Sequence, residues 1–195
     1  MGGTFNPIHL GHLAIAQAAL DAIPLDRVLF IPNASPPHKE ISSGKTSGEH
    51  RINMVKLAIE GNPDFRICTI ESFGGEREYT VNTLRNLRDL FPSDEFYFIA
   101  GSDAVISMNN WKSPDEIFAL CKIIAAHRAG ESESELFHAV EELKTTHNAE
   151  IFVINMPPFD ISSTEVREKA AADKSIEHLV PDKVDKYISD EKLYV

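Results

Sequence analysis

His9 and His12 stand three residues apart with Gly11 between them, directly after the run Gly2-Gly3-Thr4-Phe5-Asn6-Pro7-Ile8. Adjacent glycines let a backbone approach a ligand closely, and Pro7 stiffens the turn. An Ala- and Leu-rich helical pattern over residues 12–23 follows, which places the histidine pair at a helix start. A helix N-terminus offers free N–H groups and partial positive charge, a combination that suits phosphate. The imidazoles add donors to that site, and protonation is expected to strengthen both contacts. A bare pair at this spacing more often marks only a capped helix with one exposed ring. The Gly-Gly turn ahead of it shifts the reading to a phosphate loop, and no Cys or acidic ligand lies nearby to make a zinc site.

A second group of polar residues, Ile161-Ser162-Ser163-Thr164-Glu165-Val166-Arg167, comes late in the chain. Ser162 or Ser163 reads as a helix N-cap, with Arg167 about one turn inside. Hydroxyl, free N–H groups and a guanidinium then converge on one spot, as a triphosphate requires. Taken alone, a capped helix carrying a surface arginine is the plainer reading. Gly101-Ser102-Asp103 follows an apolar run at 95–100, at the carboxyl edge where open α/β sheets bind ligands. Asp103 there suits ribose hydroxyls, or equally a helix cap. Trp111 has polar neighbours, Asn109, Asn110 and Lys112, and its flat indole face is a platform for a ring both aromatic and cationic.

The opening run, GGTFNPIHLGH, resembles the signature of the nucleotidylyltransferase superfamily with the HxGH motif, in its bacterial nicotinate mononucleotide adenylyltransferase version. That family commonly carries Asp where this chain has Asn6, and Asn keeps a short side chain able to cap the turn. ISSTxxR resembles the C-terminal motif of the same family, whose Ser and Arg contact ATP phosphates. Two distant motifs in the right order make coincidence improbable. The resemblance implies ATP contacts at Gly3, Thr4, Phe5, His9, His12, Gly101, Asp103, Ile161, Ser162 and Arg167, with His9, His12 and Arg167 carrying catalysis. It also implies pyridine-mononucleotide contacts at Lys39, Tyr79, Thr80, Thr83 and Trp111. Pro36-Pro37-His38-Lys39 and Glu49-His50-Arg51 resemble stretches that hold phosphate and substrate in the family. The resemblance also implies that the pyridine ring packs against the aromatic residue at 111, with its carboxylate read largely by backbone N–H groups near Tyr79 and Thr80. Residues 178–184 resemble the family's last helix and read as structural.

The reaction so implied is attack by the mononucleotide's phosphate oxygen on the α-phosphorus of ATP, with pyrophosphate leaving. A phosphate oxygen is already ionised near neutral pH, so no protein nucleophile or strong base is needed. Positioning alone can supply ~7–11 kcal/mol of barrier reduction, and preorganised donors much of the remainder. His9 and His12 are assigned to ATP phosphates, and Ser162 and Arg167 to the β- and γ-phosphates. Mg²⁺ is expected to bridge those phosphates, held by their oxygens and water rather than by a carboxylate cage.

These groups need a scaffold, and the rest of the chain describes one. It has 195 residues, 43% hydrophobic and 25% charged, with a formal net charge of −11, which fits one globular domain spanning 1–195. The acidic balance disfavours nucleic acid and anionic membrane as partners. No apolar run approaches the ~20 residues of a membrane span, and no signal peptide is visible, so the expected location is the cytoplasm. Cys68 and Cys121 read as two reduced thiols. Candidate strands at 27–31, 65–71, 95–100, 122–127 and 150–154 alternate with helical patterns at 12–23, 49–60 and 80–91, the last capped by Thr80. That alternation argues for an α/β fold, a Rossmann-like doubly wound parallel sheet. Residues 33–48 form the one long polar loop, of the kind that serves as a lid or binding segment.

One expectation concerns the start. A phosphate loop of this kind follows a buried parallel strand, yet only Met1 precedes Gly2. The first strand is therefore expected to be truncated, and the gene start to lie further upstream. Five missing apolar residues at roughly 1.5–3 kcal/mol each would remove on the order of 10 kcal/mol, comparable with a whole domain's stability. Three alternatives stay open. The acceptor could be nicotinamide mononucleotide, phosphopantetheine or an alcohol phosphate. The chain could be a nucleotide-binding regulator without turnover, or an inactive fragment. Oligomeric state, a homo-oligomer included, is not legible.

Overall fold

In the computed structural model, residues 1–33, 46–71, 79–128, 132–156 and 161–195 are described. Lys39, with His38, falls outside them. The described elements are strands β1 (Gly2–Gly3), β2 (Val28–Pro32), β3 (Phe65–Ile67), β4 (Tyr97–Gly101), β5 (Lys122–Arg128) and β6 (Ile151–Met156). Interleaved with them run helices α1 (Leu10–Ala22), α2 (Gly48–Ile59), α3 (Thr80–Leu90), α4 (Ser102–Ser107), α5 (Pro114–Leu120), α6 (Glu133–His147), α7 (Ser163–Ala171) and α8 (Asp182–Asp190).

All strand pairs are parallel, in two three-stranded sheets ordered β1-β2-β3 and β4-β5-β6. Parallel strands covered on both faces read as continuous apolar runs, and Ile123 to Ala126 in β5 are buried without interruption. Alternation then divides them between two cores. Ile124 and Ala126 pack with α1, α2 and α8 residues such as Ile15, Met54 and Val184, whereas Ile123 and Ala125 pack with Val105, Leu136 and Val140.

β1 is two residues long. Gly2 pairs with Ile31 and Gly3 with Pro32, and the Met1 nitrogen donates to the Leu29 carbonyl at 2.9 Å. Gly2 also approaches Phe98 of β4: a Cβ at Gly2 would stand 3.9 Å from its ring. The edge strand β1 of one sheet thus lies near the edge strand β4 of the other, and the two sheets have the strand orders of the two halves of a doubly wound fold. Ahead of the glycines, a cavity of about 970 Å³ lies between β2 and β4.

Helix starts follow local chemistry. Ser47, Ser132 and Ser162 each accept a backbone N–H from three residues on. In α3 the cap is Tyr79 rather than Thr80, because the chain enters the helix one residue earlier than the hydroxyl suggests. β3 ends at Ile67, short of the expected 71. Cys68 and Cys121 are both free thiols. Among the described residues no helix is long and apolar enough to cross a membrane.

Candidate active site

The carboxyl ends of β1 and β2 open onto the segment Thr4–His9, which leads into α1. His9 is the N-cap of that helix and His12 lies in its first turn. Their rings stack, with centroids 3.7 Å apart and planes inclined by 31°. The His9 backbone N–H donates to His12 Nδ1 at 3.2 Å. In the neutral ring the proton of His12 therefore sits on Nε2, ready to donate. Phe5 lies edge-on to His12 at 5.1 Å and is itself buried. Its side chain belongs to the core, so only its backbone, at a φ of 46°, is available to a ligand.

Gly11 is required by this stacking. A Cβ there would come within 3.1 Å of His9 Nδ1 and 3.9 Å of the Ile161 carbonyl oxygen. The His9 ring is buried, and its Nδ1 makes no hydrogen bond within the described structure. Burial pushes the His9 pKa down to about 4, and the nearby Arg128 cation adds to the effect. His12 falls to about 3 through burial, then His9, then Arg128. The expectation that protonation strengthens the phosphate contacts is thereby corrected for the ligand-free protein: both imidazoles are neutral at physiological pH. They offer N–H donors without a net charge. Arg128, at the end of β5, supplies the cation that the sequence reading overlooked.

The second motif docks directly on this loop. Ser162 is the N-cap of α7, its Oγ accepting from the Glu165 N–H at 3.1 Å. Ser163 Oγ donates to the Pro7 carbonyl at 2.9 Å, across 156 residues of sequence. Arg167 donates from Nη1 to the Asn6 carbonyl at 2.8 Å and from Nη2 to Thr164 Oγ1 at 3.2 Å. The Tyr194 hydroxyl donates to Asn6 Oδ1 at 2.8 Å. Asn6 is thus held through both backbone and side chain. Of the residues assigned here, Arg167 bonds the loop directly, Ser162 caps α7, and the Ile161 carbonyl lies beside Gly11.

Gly3 and Thr4 line the cavity together with Thr80, Thr83 and Trp111. The structure therefore gathers most of the residues assigned to the pyridine substrate against one edge of the phosphate loop. Trp111 is half-buried, edge-on to Phe98 at 5.9 Å, and its Nε1 donates to Ser107 Oγ at 3.1 Å. The Thr83 hydroxyl donates to the Glu71 carboxylate. Tyr79 faces the Lys112 ammonium, 4.3 Å above its ring. His9, His12, Ser162 and Arg167 lie outside that cavity wall. Gly101 caps α4, and a Cβ on it would meet nothing within 4 Å, so this turn leaves open space at the sheet edge. Asp103 is exposed on the first turn of α4 rather than capping it.

The sequence singles out Arg51 only as part of the stretch Glu49-His50-Arg51, with no role of its own. The signal was available: Arg51 shares a helical face with Met54 and Val55, and a charge on an apolar stripe is rarely buried unless it is bonded. Among the described residues no three His, Cys, Asp or Glu side chains gather as metal ligands would.

Residues 1–169 match the family model described as cytidylyltransferase-like. The chain is 38% identical over 208 residues to a protein of Geotalea uraniireducens named "Probable nicotinate-nucleotide adenylyltransferase", covering all of this chain and 96% of that one. A protein of the same name from Carboxydothermus hydrogenoformans is 38% identical over 193 residues, covering 99% and 95%. Among solved structures, the Plasmodium falciparum nicotinic acid mononucleotide adenylyltransferase, complexed with NaAD, superposes with a TM-score of 0.80 at 20% identity, covering 99% and 94%.

Proposed function

We propose, from the premise that this chain belongs to the cytidylyltransferase-like family and within it to the nicotinate-nucleotide adenylyltransferases, that it transfers the adenylyl group of ATP to nicotinate mononucleotide. The products are deamido-NAD and pyrophosphate. The observation that carries the reading is the docking of α7 on the Thr4–His9 loop, through Ser163 on Pro7 and Arg167 on Asn6. It brings the two motifs that we assign to phosphate from opposite ends of the chain to one place.

In the reaction, a phosphate oxygen of the mononucleotide forms a bond to the α-phosphorus, and the bond from that phosphorus to the β-phosphate bridging oxygen breaks. Pyrophosphate leaves with the electron pair. His12 Nε2–H is the donor we assign to the triphosphate, since in the first turn of α1 the His9, Leu10 and His12 N–H groups are taken by His12 Nδ1 and by the Leu179 and His9 carbonyls. Arg167 and the Ser162 hydroxyl face the β- and γ-phosphates, where negative charge grows on the leaving group. Arg128 adds to the positive field felt by both imidazoles. Trp111 supplies a face for the pyridinium ring, and backbone N–H groups near Tyr79 and Thr80 read its carboxylate. Mg²⁺ bound with the triphosphate would supply charge neutralisation. Both substrates are small metabolites, and the cytoplasm is the location we assign.

The test is pyrophosphate release with ATP and Mg²⁺, comparing nicotinate and nicotinamide mononucleotides. Release at least about tenfold faster with the nicotinate form supports the assignment. Faster turnover of the amide moves the acceptor, and silence from a well-folded chain refutes adenylyl transfer.

A further inference from the structure

We propose that Arg51 is a positioning residue of the phosphate loop, its guanidinium fixing the spacing between the carboxyl ends of β1 and β2 so that the loop's N–H groups face the nucleotide. The inference rests on the adenylyl-transfer reading only for the identity of the ligand. The geometry itself is independent of that reading. One nitrogen, Nη1, donates to the Thr4 carbonyl at 2.7 Å and to the Asn33 carbonyl at 2.5 Å. Thr4 follows β1 and Asn33 follows β2, and the Asn33 N–H in turn donates to the Gly3 carbonyl at 2.9 Å. The two strand ends are thereby closed into a bonded ring, with the arginine as its clasp.

The reach comes from α2. Helical side chains lean toward the N-terminus of their own helix, so an arginine near its start runs back past Gly48 and the Ser47 cap to the sheet edge. A Cβ at Gly48 would stand 3.6 Å from Arg51 Nη2, so the side chain lies directly along that first turn. Arg51 is fully buried. Burial alone would cost a long cationic side chain heavily, and the two carbonyls bonded to Nη1 offset that cost.

The consequence for binding concerns which groups the loop shows its ligand. A backbone carbonyl facing phosphate repels it, whereas the N–H attracts it. In this loop the carbonyls of Thr4, Asn6 and Pro7 are each taken by a donor from elsewhere: Arg51, Arg167 and Ser163 respectively. Tyr194 adds a hold on the Asn6 side chain. Four tethers, one from α2, two from α7 and one from the last turn, thus hold the loop, and the first three turn its backbone acceptors away from the anion. Arg51 is the tether that also ties the loop to the neighbouring strand.

Three variants and four readouts decide the matter. Arg51→Lys keeps the charge on a shorter side chain whose ammonium stops short of the Nη1 position between the Thr4 and Asn33 carbonyls, Arg51→Gln removes the charge, and Tyr194→Phe removes one hydroxyl. The readouts are thermal melting, KM for ATP, KM for nicotinate mononucleotide and kcat. Arg51→Lys is expected to melt within a few degrees of the parent while its KM for ATP rises about tenfold, with kcat and the mononucleotide KM changing far less. Tyr194→Phe is expected to raise the ATP KM about threefold by the same route, and Arg51→Gln to exceed Arg51→Lys. An unchanged ATP KM in Arg51→Lys overturns the proposal. So does a loss in which melting, kcat and both KM values deteriorate together, since that marks a purely structural residue. If the parent chain releases no pyrophosphate, the adenylyl-transfer reading fails on its own. Calorimetry with inorganic pyrophosphate then decides: binding about tenfold weaker in Arg51→Lys supports the clasp, and no difference between the two proteins overturns it.

Discussion

Acid should destabilise this protein through two particular rings. His9 and His12 titrate at about 4 and about 3 when folded, against 6.5 for the free side chain. Below pH 6.5 the unfolded chain therefore takes up protons at both rings that the folded chain refuses. Stability rises with pH wherever the unfolded state binds more protons. The neutral rings' contribution is thus fully present above about pH 6.5, and it is lost as pH falls toward 4 and then 3. Each tenfold difference in proton affinity between folded and unfolded chain corresponds to about 1.36 kcal/mol. With two strongly displaced, neighbouring rings the loss is on the order of 5 kcal/mol by pH 4, which matches the lower end of typical domain stability. The assay is urea unfolding at intervals from pH 8 to pH 4.5, for the parent and for the His9→Asn, His12→Asn double variant. Carboxylates titrate in both proteins, so the difference between the two curves isolates the imidazoles. The parent should lose stability more steeply below pH 6.5, and the two curves should converge as pH falls. Parallel curves over that window would refute the argument that both rings are held neutral. In the same reasoning, kcat/KM should stay level from pH 6.5 to 8, because the donor form is the neutral ring.

Further outcomes follow from the same geometry. Arg167→Ala removes the tether to Asn6 and the cation at the leaving group, so kcat/KM for ATP should fall by at least about tenfold with little change in melting; steady-state kinetics with circular dichroism checks this. Gly11→Ala places a methyl 3.1 Å from His9 Nδ1 and should cut turnover by about tenfold through displacement of the stacked rings, measured beside the ATP KM. Trp111→Ala should raise the KM for nicotinate mononucleotide by about tenfold while leaving that for ATP within twofold, and Trp111→Phe should restore most of the loss.

The two motifs at 2–12 and 161–167 were legible because their chemistry is local. A glycine pair, a helix start and a capping serine act over a few residues, and their spacing survives whatever the rest of the chain does. His9, His12 and Ser162 accordingly stand at the helix starts that the spacing predicts. Strands β2, β4, β5 and β6 were legible for a similar reason, since burial on both faces leaves continuous apolar runs. Helix α6 was not picked out, although its buried Leu136, Ala139, Val140 and Leu143 carry helical spacing. The cap of α3 shifted by one residue because a backbone entry angle, rather than a hydroxyl, ends that turn.

The sequence by itself determined which residue types could hold phosphate, and that the scaffold presenting them is an α/β layer structure. Only the tertiary structure decided their charge state and their mutual hold. The neutrality of His9 and His12 depends on how much water the fold removes and on Arg128, which arrives from a strand far along the chain. The clasp of Arg51 and the tethers of Ser163, Arg167 and Tyr194 join positions between 18 and 188 residues apart. Desolvation and long-range hydrogen bonds are properties of the packed arrangement, and no spacing along a chain encodes them locally.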